Sequence, residues 1–138
     1  MHVKTIIHDD GIMPVFSTEN AACADLATPM SIVLEPFKVY KIPLNISFEF
    51  PKGYHAKIYP RSSLLVNYGV ASPVSVIDED YRGIVHVVLQ NTTDNNVVFT
   101  RGDRLCQIEI VKTGPRPKSW LVKKRVRCQK GFGGTGLN

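Results

Sequence analysis

The chain has 138 residues, of which 43% are hydrophobic and 21% charged, and its formal net charge is +5. This length fits one domain with its own core, and the composition excludes disorder over most of the chain. Because no apolar run is long enough for a signal peptide or a membrane span, we expect a cytoplasmic protein, or one of the host cytoplasm if the chain is viral.

Short runs of β-branched and aromatic residues, separated by turn residues, recur along the chain in place of helical periodicity. This pattern predicts strands, in chain order, at 31–34, 39–42, 46–50, 55–59, 74–77, 85–90, 96–99 and 105–112. Residues 51–53 and 93–95 are predicted turns, and 62–68 are predicted to make one or two helical turns that end at Gly69. So many short strands favour an all-β, jelly-roll-like fold, a distorted β-barrel or sandwich that protects its sheet edges.

Residues 1–138 are predicted to form a single domain, with a β core at 1–113 and a C-terminal arm at 114–138. Pro115 and Pro117 begin the arm, and glycines close it. A glycine-rich tail of this kind is predicted to be flexible until a ligand orders it. The basic surplus is concentrated in the arm, which favours either a solvated face or a polyanionic partner. Its members are Lys123, Lys124, Arg125, Arg127 and Lys130.

The three cysteines are Cys23, Cys106 and Cys128. Their number is odd, and their spacing does not match that of zinc ligands. We expect all three to be free thiols.

Three consecutive carboxylates, Asp78, Glu79 and Asp80, lie between two apolar, strand-like runs. Like charges this close repel one another, so a purely structural turn has little reason to carry all three. One carboxylate held near a polyphosphate and a metal can act as a general base on water. The alternative is a solvated hairpin turn.

Arg61, Ser62 and Ser63 follow the predicted strand at 55–59. A guanidinium fork beside two hydroxyls suits a phosphate group, although the serines could instead cap the short helical turn. Segment 101–108 also combines arginines with a neutral donor suited to a phosphate group, here Gln107 on a predicted strand. Its structural alternative is a turn stabilised by a pair of Asp103 and Arg104.

Residues 131–136, Gly-Phe-Gly-Gly-Thr-Gly, formally match the glycine pattern of dinucleotide-binding proteins. That pattern needs a strand before it and a helix after it, and only two residues follow, so we reject this interpretation. A glycine-rich tail with one ring and one hydroxyl is suited instead to closing over a ligand, with Phe132 stacked on a base.

The order and spacing of these segments resemble one family, the trimeric dUTP pyrophosphatases. The five motifs of that family are matched in order by residues 21–26, 60–64, 76–83 and 101–108, and by Arg127 together with 131–136. Five matches in order are far more specific than any one of them. The resemblance implies a jelly-roll-like homotrimer, active sites shared between subunits, and hydrolysis of dUTP to dUMP and pyrophosphate with Mg²⁺. Such an enzyme lowers dUTP and supplies dUMP for thymidylate synthesis.

The resemblance also implies a role for each matched residue. Asp78 would deprotonate the water that attacks the α-phosphorus, with Arg61 and Ser62 as catalytic partners on the phosphate chain. Asp25 would hold Mg²⁺ through a water molecule, the alternative being a carboxylate that caps a turn at a strand end. The implied substrate-binding residues are Ser63, Ser72, Val74, Val76, Tyr81, Gln107, Arg127, Phe132, Gly133 and Thr135.

Within this set, Tyr81 would lie under the deoxyribose and exclude a 2′-hydroxyl, or else form a cross-strand aromatic pair. The backbone at 72–76 would read uracil, and Arg127 and Phe132 of a third subunit would close the site. Some positions depart from the family pattern: Cys23 and Ser75 stand where Gly is common, and Gly134 stands where Ser is common. Pro73 has no N–H to offer to a base.

Two other functions share parts of this pattern. The related dCTP deaminases need a catalytic glutamate at the position of Val88, so deamination is not expected. A catalytically weak member of the fold could bind nucleotides, nucleic acid or a regulatory protein through its basic arm. No nucleic-acid-binding motif is present and Trp120 is the only tryptophan, so nucleic acid is not an expected partner.

Overall fold

The computed structural model describes residues 1–127, which contain eleven strands and one short helix. The strands are β1 Lys4–Ile7, β2 Ala24–Ala27, β3 Ile32–Leu34, β4 Val39–Pro43, β5 Ile46–Glu49, β6 Tyr54–Pro60, β7 Val70–Ala71, β8 Ser75–Ile77, β9 His86–Asn91, β10 Val97–Phe99 and β11 Arg104–Lys112, and the helix is α1 Ser62–Tyr68. All eight predicted strands are confirmed to within two residues at each end. Three strands were not predicted, namely β1, β2 and β7.

The strands pair into four small antiparallel sheets. The largest has the order β2-β11-β6-β8, and a second has the order β4-β9-β7. Two-stranded sheets of β1 with β5 and β3 with β10 complete the pairing. Since β8 is an edge strand, its second side has no strand partner within the described residues, and this side faces the candidate site.

Strand alternation directs apolar side chains inward from both larger sheets. In β9, Val87, Leu89 and Asn91 are buried while the residues between them are not. Asn91 is tolerated because its side-chain nitrogen donates to the carbonyls of Leu34 and Asn95, at 2.9 and 2.8 Å. Burying one leucine contributes about 1.5–3 kcal/mol. The side chains at the centre of this core are Leu26, Leu34, Leu44, Ile46, Ile58, Leu89 and Leu105.

Helix α1 follows β6 directly and ends where the sequence predicted. Gly69 adopts a left-handed conformation with φ of 67°, and its N–H closes the helix on the carbonyl of Leu65 at 3.0 Å. A Cβ at this position would lie 2.4 Å from the Thr93 methyl carbon, so both the dihedral and the space require glycine. This tight end holds the short helix against the sheet, with Leu64 buried.

Within residues 1–127, no helix has the length and apolar character that crossing a membrane requires. Cys23 and Cys106 are free, as predicted, and Cys128 lies outside the described residues. The predicted glycine-rich end of the arm also lies outside them. The division between core and arm at residue 113 stays a prediction.

Candidate active site

The acidic turn is held in place by its neighbours while its carboxylates remain exposed. Glu79 Oε1 accepts the N–H of Gly53 at 2.9 Å, which ties the turn to the turn between β5 and β6. Arg82 Nη1 donates to the Glu79 carbonyl at 2.8 Å. Asp78 follows β8 directly and is exposed, so its carboxylate is open to a water molecule or a ligand.

A cavity of 260 Å³ opens beside Asp78, and we call it the nucleoside cavity after the role that the resemblance implies. It lies between the edge strand β8, the acidic turn and strand β9. The lining residues are Lys41, Ile58, Ser75, Val76, Ile77, Asp78, Tyr81, Val85, His86 and Val88. Of the predicted substrate-binding residues, Val76 and Tyr81 are therefore in its wall. Ser72 and Val74 lie in the connection between β7 and β8 and are not part of its lining.

On its other side the acidic turn borders a larger cavity of 640 Å³, shared with His55, Thr113 and Arg116. His55 Nδ1 lies 2.7 Å from the Thr113 hydroxyl, which joins β6 to the start of the arm. All three carboxylates of the turn line this cavity. Even with Arg116 in the wall, the three carboxylates leave this side of the turn net negative, which disfavours a polyanion.

A second cluster gathers charged side chains from β2, β11 and the β6–α1 junction; we call it the phosphate cluster. Arg104 Nη1 donates to Asp25 Oδ2 at 3.2 Å, and Arg61 Nε lies 4.0 Å from Asp25 Oδ1. Arg61 Nη1 also donates to the Arg104 carbonyl at 3.2 Å. The Asp25 side chain is only 14% exposed. The two guanidinium groups supply the forked donors that suit a phosphate group.

The serines beside Arg61 are not used as helix caps. Arg61 occupies the N-cap position of α1, and the cap makes no side-chain hydrogen bond. Ser62 is exposed and Ser63 half-buried, and Ser63 lines a cavity of 190 Å³ with Arg61 and Arg104. The capping alternative is therefore wrong, and both hydroxyls are free to meet a ligand.

Gln107 lies opposite Asp25 and Tyr59 in the sheet, so it belongs to the same outer face. Its side-chain nitrogen donates to the Pro60 carbonyl at 3.2 Å. This bond orients the amide toward the β6–α1 junction. Asp25, Arg61, Ser63 and Gln107 therefore lie in one region of the surface, while their predicted roles stay predictions.

The predicted pair of Asp103 and Arg104 is wrong. Arg104 pairs with Asp25, whereas Asp103 Oδ2 accepts the backbone N–H of Thr100 at 2.8 Å and stabilises the turn by itself. No local signal identifies the correct partner of Arg104, because Asp25 and Arg104 are separated by 79 positions. Lys41 and His86 were also missed, since they reach the nucleoside cavity from strands that carry no motif residue.

Neither cysteine near the phosphate cluster is a nucleophile. Burial raises the pKa of the Cys23 thiol, and the negative charges of Glu109 and Asp25 raise it further. Burial likewise raises the pKa of Cys106 to about 12. Both thiols therefore stay neutral at neutral pH, and a neutral thiol is a poor nucleophile. Next to Cys23, Tyr59 donates to Glu109 Oε1 at 2.9 Å, and this hydrogen bond raises the pKa of Tyr59.

The acidic turn and the phosphate cluster lie at opposite ends of β6. Ala56 pairs with Ile77, so continuing the register places Asp78 beside His55. Arg61 is six residues further along the same run of chain. At about 3.3 Å per residue, roughly 20 Å separate the two positions within one chain.

Comparison with known proteins decides the family. The dUTPase family model matches residues 9–136. The chain belongs to the dUTPase family. The chain is 37% identical over 127 residues to the deoxyuridine 5′-triphosphate nucleotidohydrolase of avian adenovirus 8, covering 91% of this chain and 78% of that protein. It is 35% identical over 140 residues to the enzyme of the same name from Hydrogenobaculum sp., covering 95% and 94%.

Solved dUTPase structures share the fold. A mutant dUTPase of phage phi11 of S. aureus, with a structural Mg(II) ion, superposes with a TM-score of 0.83 at 18% identity, over 90% of this chain and 98% of that chain. The Staphylococcus bacteriophage 80alpha dUTPase with dUPNHPP gives a TM-score of 0.81 at 18% identity, over 99% and 98%. These matches confirm the predicted all-β, jelly-roll-like fold.

Four predicted residues belong to the fifth dUTPase motif at the end of the arm. Arg127 is described and exposed. Phe132, Gly133 and Thr135 lie outside the described residues. The predicted closing of a site by the arm therefore stays a prediction.

Proposed function

We propose that the protein hydrolyses dUTP to dUMP and pyrophosphate, which lowers dUTP and supplies dUMP for thymidylate synthesis. One observation carries the proposal. A chain of the dUTPase family presents an exposed carboxylate at a nucleoside cavity and, separately, a cationic cluster with free hydroxyls. Curated relatives that match almost the whole chain are nucleotidohydrolases of deoxyuridine 5′-triphosphate, which supports the same substrate.

The active site is shared between subunits of a homotrimer in this proposal. Asp78 and Arg61 are about 20 Å apart along β6, too far for both to contact one phosphate group of one nucleotide. A rotationally symmetric assembly removes this obstacle, because it brings one end of a subunit against the opposite end of its neighbour. The nucleoside cavity of one subunit then faces the phosphate cluster of the next.

Asp78 is the general base. It accepts a proton from a water molecule as that water attacks the α-phosphorus, and the P–O bond to the bridging oxygen breaks to release pyrophosphate. Holding the water in line with the leaving oxygen supplies much of the rate. The exposure of Asp78 at the mouth of the nucleoside cavity supports this role.

The phosphate chain is bound by Arg61, Ser62, Ser63 and Gln107. Ser62 is assigned to the oxygen between the α- and β-phosphates, where negative charge grows as the bond breaks. A donor at that oxygen stabilises the transition state more than the ground state. Arg127 of a third subunit meets the γ-phosphate. Phe132, Gly133 and Thr135, which lie outside the described residues, complete the lid over the base and phosphates.

Mg²⁺ is the metal of the proposed reaction, and Asp25 is the residue that would help to hold it, through a water molecule, beside the triphosphate. Within residues 1–127, no group of three or more His, Cys, Asp or Glu side chains is placed to hold a metal. A single carboxylate fits magnesium, which usually keeps several waters and binds one or two carboxylates together with substrate phosphates. When bound, the ion neutralises charge on the pyrophosphate.

The shape of the nucleoside cavity and the backbone groups at its edge recognise the base and the sugar of the nucleotide. The free side of β8 offers backbone groups around Val76, and the connection at Ser72 and Val74 continues that edge. Tyr81 closes the sugar side of the cavity. Val88 also lines this cavity and has no carboxylate to move a proton onto a cytosine ring, which argues against deamination.

One experiment tests the proposal. The purified protein is incubated with Mg²⁺ and separately with dUTP, dCTP, dTTP or UTP, and the products are identified by chromatography. We expect dUMP and pyrophosphate from dUTP and little turnover of the other three. Formation of dUTP from dCTP would instead identify a deaminase, and no turnover of any nucleotide would identify a catalytically inactive member of the family.

A further inference from the structure

One backbone oxygen joins two side chains of the nucleoside cavity. The Tyr81 hydroxyl donates to the Ile84 carbonyl at 2.8 Å, and His86 Nδ1 lies 3.0 Å from the same oxygen. A carbonyl oxygen can only accept, and it has two lone pairs, so both groups donate to it. His86 therefore carries a proton on Nδ1, and Ile84 forms a bridge between the tyrosine and the histidine.

Gly83 limits the position of the Tyr81 ring from another side. A Cβ at this position would lie 2.6 Å from the Tyr81 hydroxyl oxygen and 2.8 Å from the adjacent ring carbon. These separations are shorter than real contacts, so any side chain at position 83 would force the Tyr81 ring to shift from its present position. The phenol thus lies directly against the glycine backbone.

The orientation of Tyr81 depends on these contacts because burial does not fix it. The residue is 43% exposed, and it lines the nucleoside cavity next to Asp78. An exposed aromatic ring samples several rotamers unless a specific contact selects one. The hydrogen bond to Ile84 and the close approach of Gly83 make that selection here.

We propose that Gly83 and His86 are positioning residues that hold Tyr81 as the barrier against a ribonucleotide, with His86 acting through the Ile84 carbonyl. This inference rests on the proposed function, and it adds the residues that set sugar selectivity. His86 fixes the direction of the carbonyl, the carbonyl fixes the phenol hydroxyl, and the ring then occupies the space that a 2′-hydroxyl needs. Loss of either contact lets the ring move aside.

The test compares kcat/KM for UTP with kcat/KM for dUTP in four variants. His86→Leu removes the donor to Ile84, and we expect the UTP/dUTP ratio to rise about 3- to 10-fold, the effect of one ordinary hydrogen bond. Gly83→Ala displaces the ring directly and raises the ratio at least as much. His86→Asn places an amide N–H near the position of Nδ1 and restores most of the selectivity. His8→Leu, a matched replacement away from the cavity, leaves the ratio unchanged.

The outcomes separate this inference from the proposed function. Turnover of dUTP by the wild-type protein tests the function alone. If the wild-type protein hydrolyses dUTP but the UTP/dUTP ratio stays the same in both His86→Leu and Gly83→Ala, the inference is wrong. If the UTP/dUTP ratio rises equally in His86→Leu and His86→Asn, the hydrogen bond from Nδ1 to the Ile84 carbonyl does not set the selectivity. Thermal unfolding of each variant identifies any that fails to fold. If either His86→Leu or Gly83→Ala fails to fold, the ratio in the remaining one of the two tests the inference.

Discussion

The two ends of β6 are built in different ways. At one end, the phosphate cluster is held by ion pairs among Asp25, Arg61 and Arg104, with the carboxylate largely shielded from solvent. At the other end, hydrogen bonds between side chains and backbone groups hold the acidic turn and leave Asp78 exposed. The first end is organised within a single chain, whereas the second presents an exposed carboxylate about 20 Å from the guanidinium groups of the first. In the proposed trimer each end supplies what the other lacks.

The largest expected effect is at the acidic turn. Asp78→Asn keeps the shape of the side chain but removes the base, so kcat should fall about 10³-fold, within the range attributed to general-base catalysis. Binding of a non-hydrolysable dUTP analogue should change little. Steady-state kinetics and calorimetric titration measure the two quantities.

Asp80→Asn is the matched control for Asp78→Asn, since it removes a neighbouring charge of the same turn. Its kcat should stay within a few-fold of the wild-type value. Equal losses in the two variants would mean that the turn acts through its total charge, and an unchanged kcat in Asp78→Asn would exclude Asp78 as the base.

At the phosphate cluster, Arg61→Lys should lower kcat/KM about 10- to 100-fold. Lysine keeps the charge but cannot replace a guanidinium fork that donates to several oxygens at once. Arg104→Lys, which alters the more exposed partner of Asp25, should have a smaller effect. The assignment of Arg61 to the phosphate chain would be contradicted by a larger loss in Arg104→Lys than in Arg61→Lys.

Asp25→Asn tests the link between this cluster and the metal. We expect the Mg²⁺ concentration for half-maximal activity to rise about 10- to 100-fold, the usual cost of losing an outer partner of a metal. Arg104→Gln removes one of the two ion pairs of Asp25 but keeps the carboxylate, so its Mg²⁺ dependence should stay close to that of the wild type. An unaltered Mg²⁺ titration in Asp25→Asn would show that the carboxylate serves only the arginines.

A smaller effect concerns the core beneath the phosphate cluster. Cys106 is fully buried, and burial raises its pKa from 9.0 to about 12. The folded thiol stays neutral while the unfolded thiol ionises, so the free energy of unfolding should fall as pH rises from about 9 toward 12. Cys106→Ala lacks this contribution, and its unfolding midpoint in urea should decline less steeply over that range. Parallel declines in the two proteins would contradict the assignment.

Local sequence signals predicted those parts of the fold that local physics controls. Helix 62–68 was predicted correctly because a left-handed glycine ends it. Strand β2, Ala-Asp-Leu-Ala, was missed because its residues have weak strand propensity, and pairing with β11 makes it a strand. The ion pair of Asp25 and Arg104 was not predicted either, because β2 and β11 are far apart in the sequence. The order of the motifs predicted the site residues, whose roles stay predictions, but the separation of Asp78 from Arg61 along β6 could be read only from the strand register.

The central claim is that Asp78 and Arg61 act together only across two subunits. Asp78→Asn and Arg61→Ala chains, each nearly inactive alone, are co-expressed with different tags, and mixed oligomers are purified through both tags. In each mixed trimer one of the three sites unites the two intact residues, so about a third of wild-type activity should return. Mixed oligomers that stay as inactive as the parent variants would contradict a shared site.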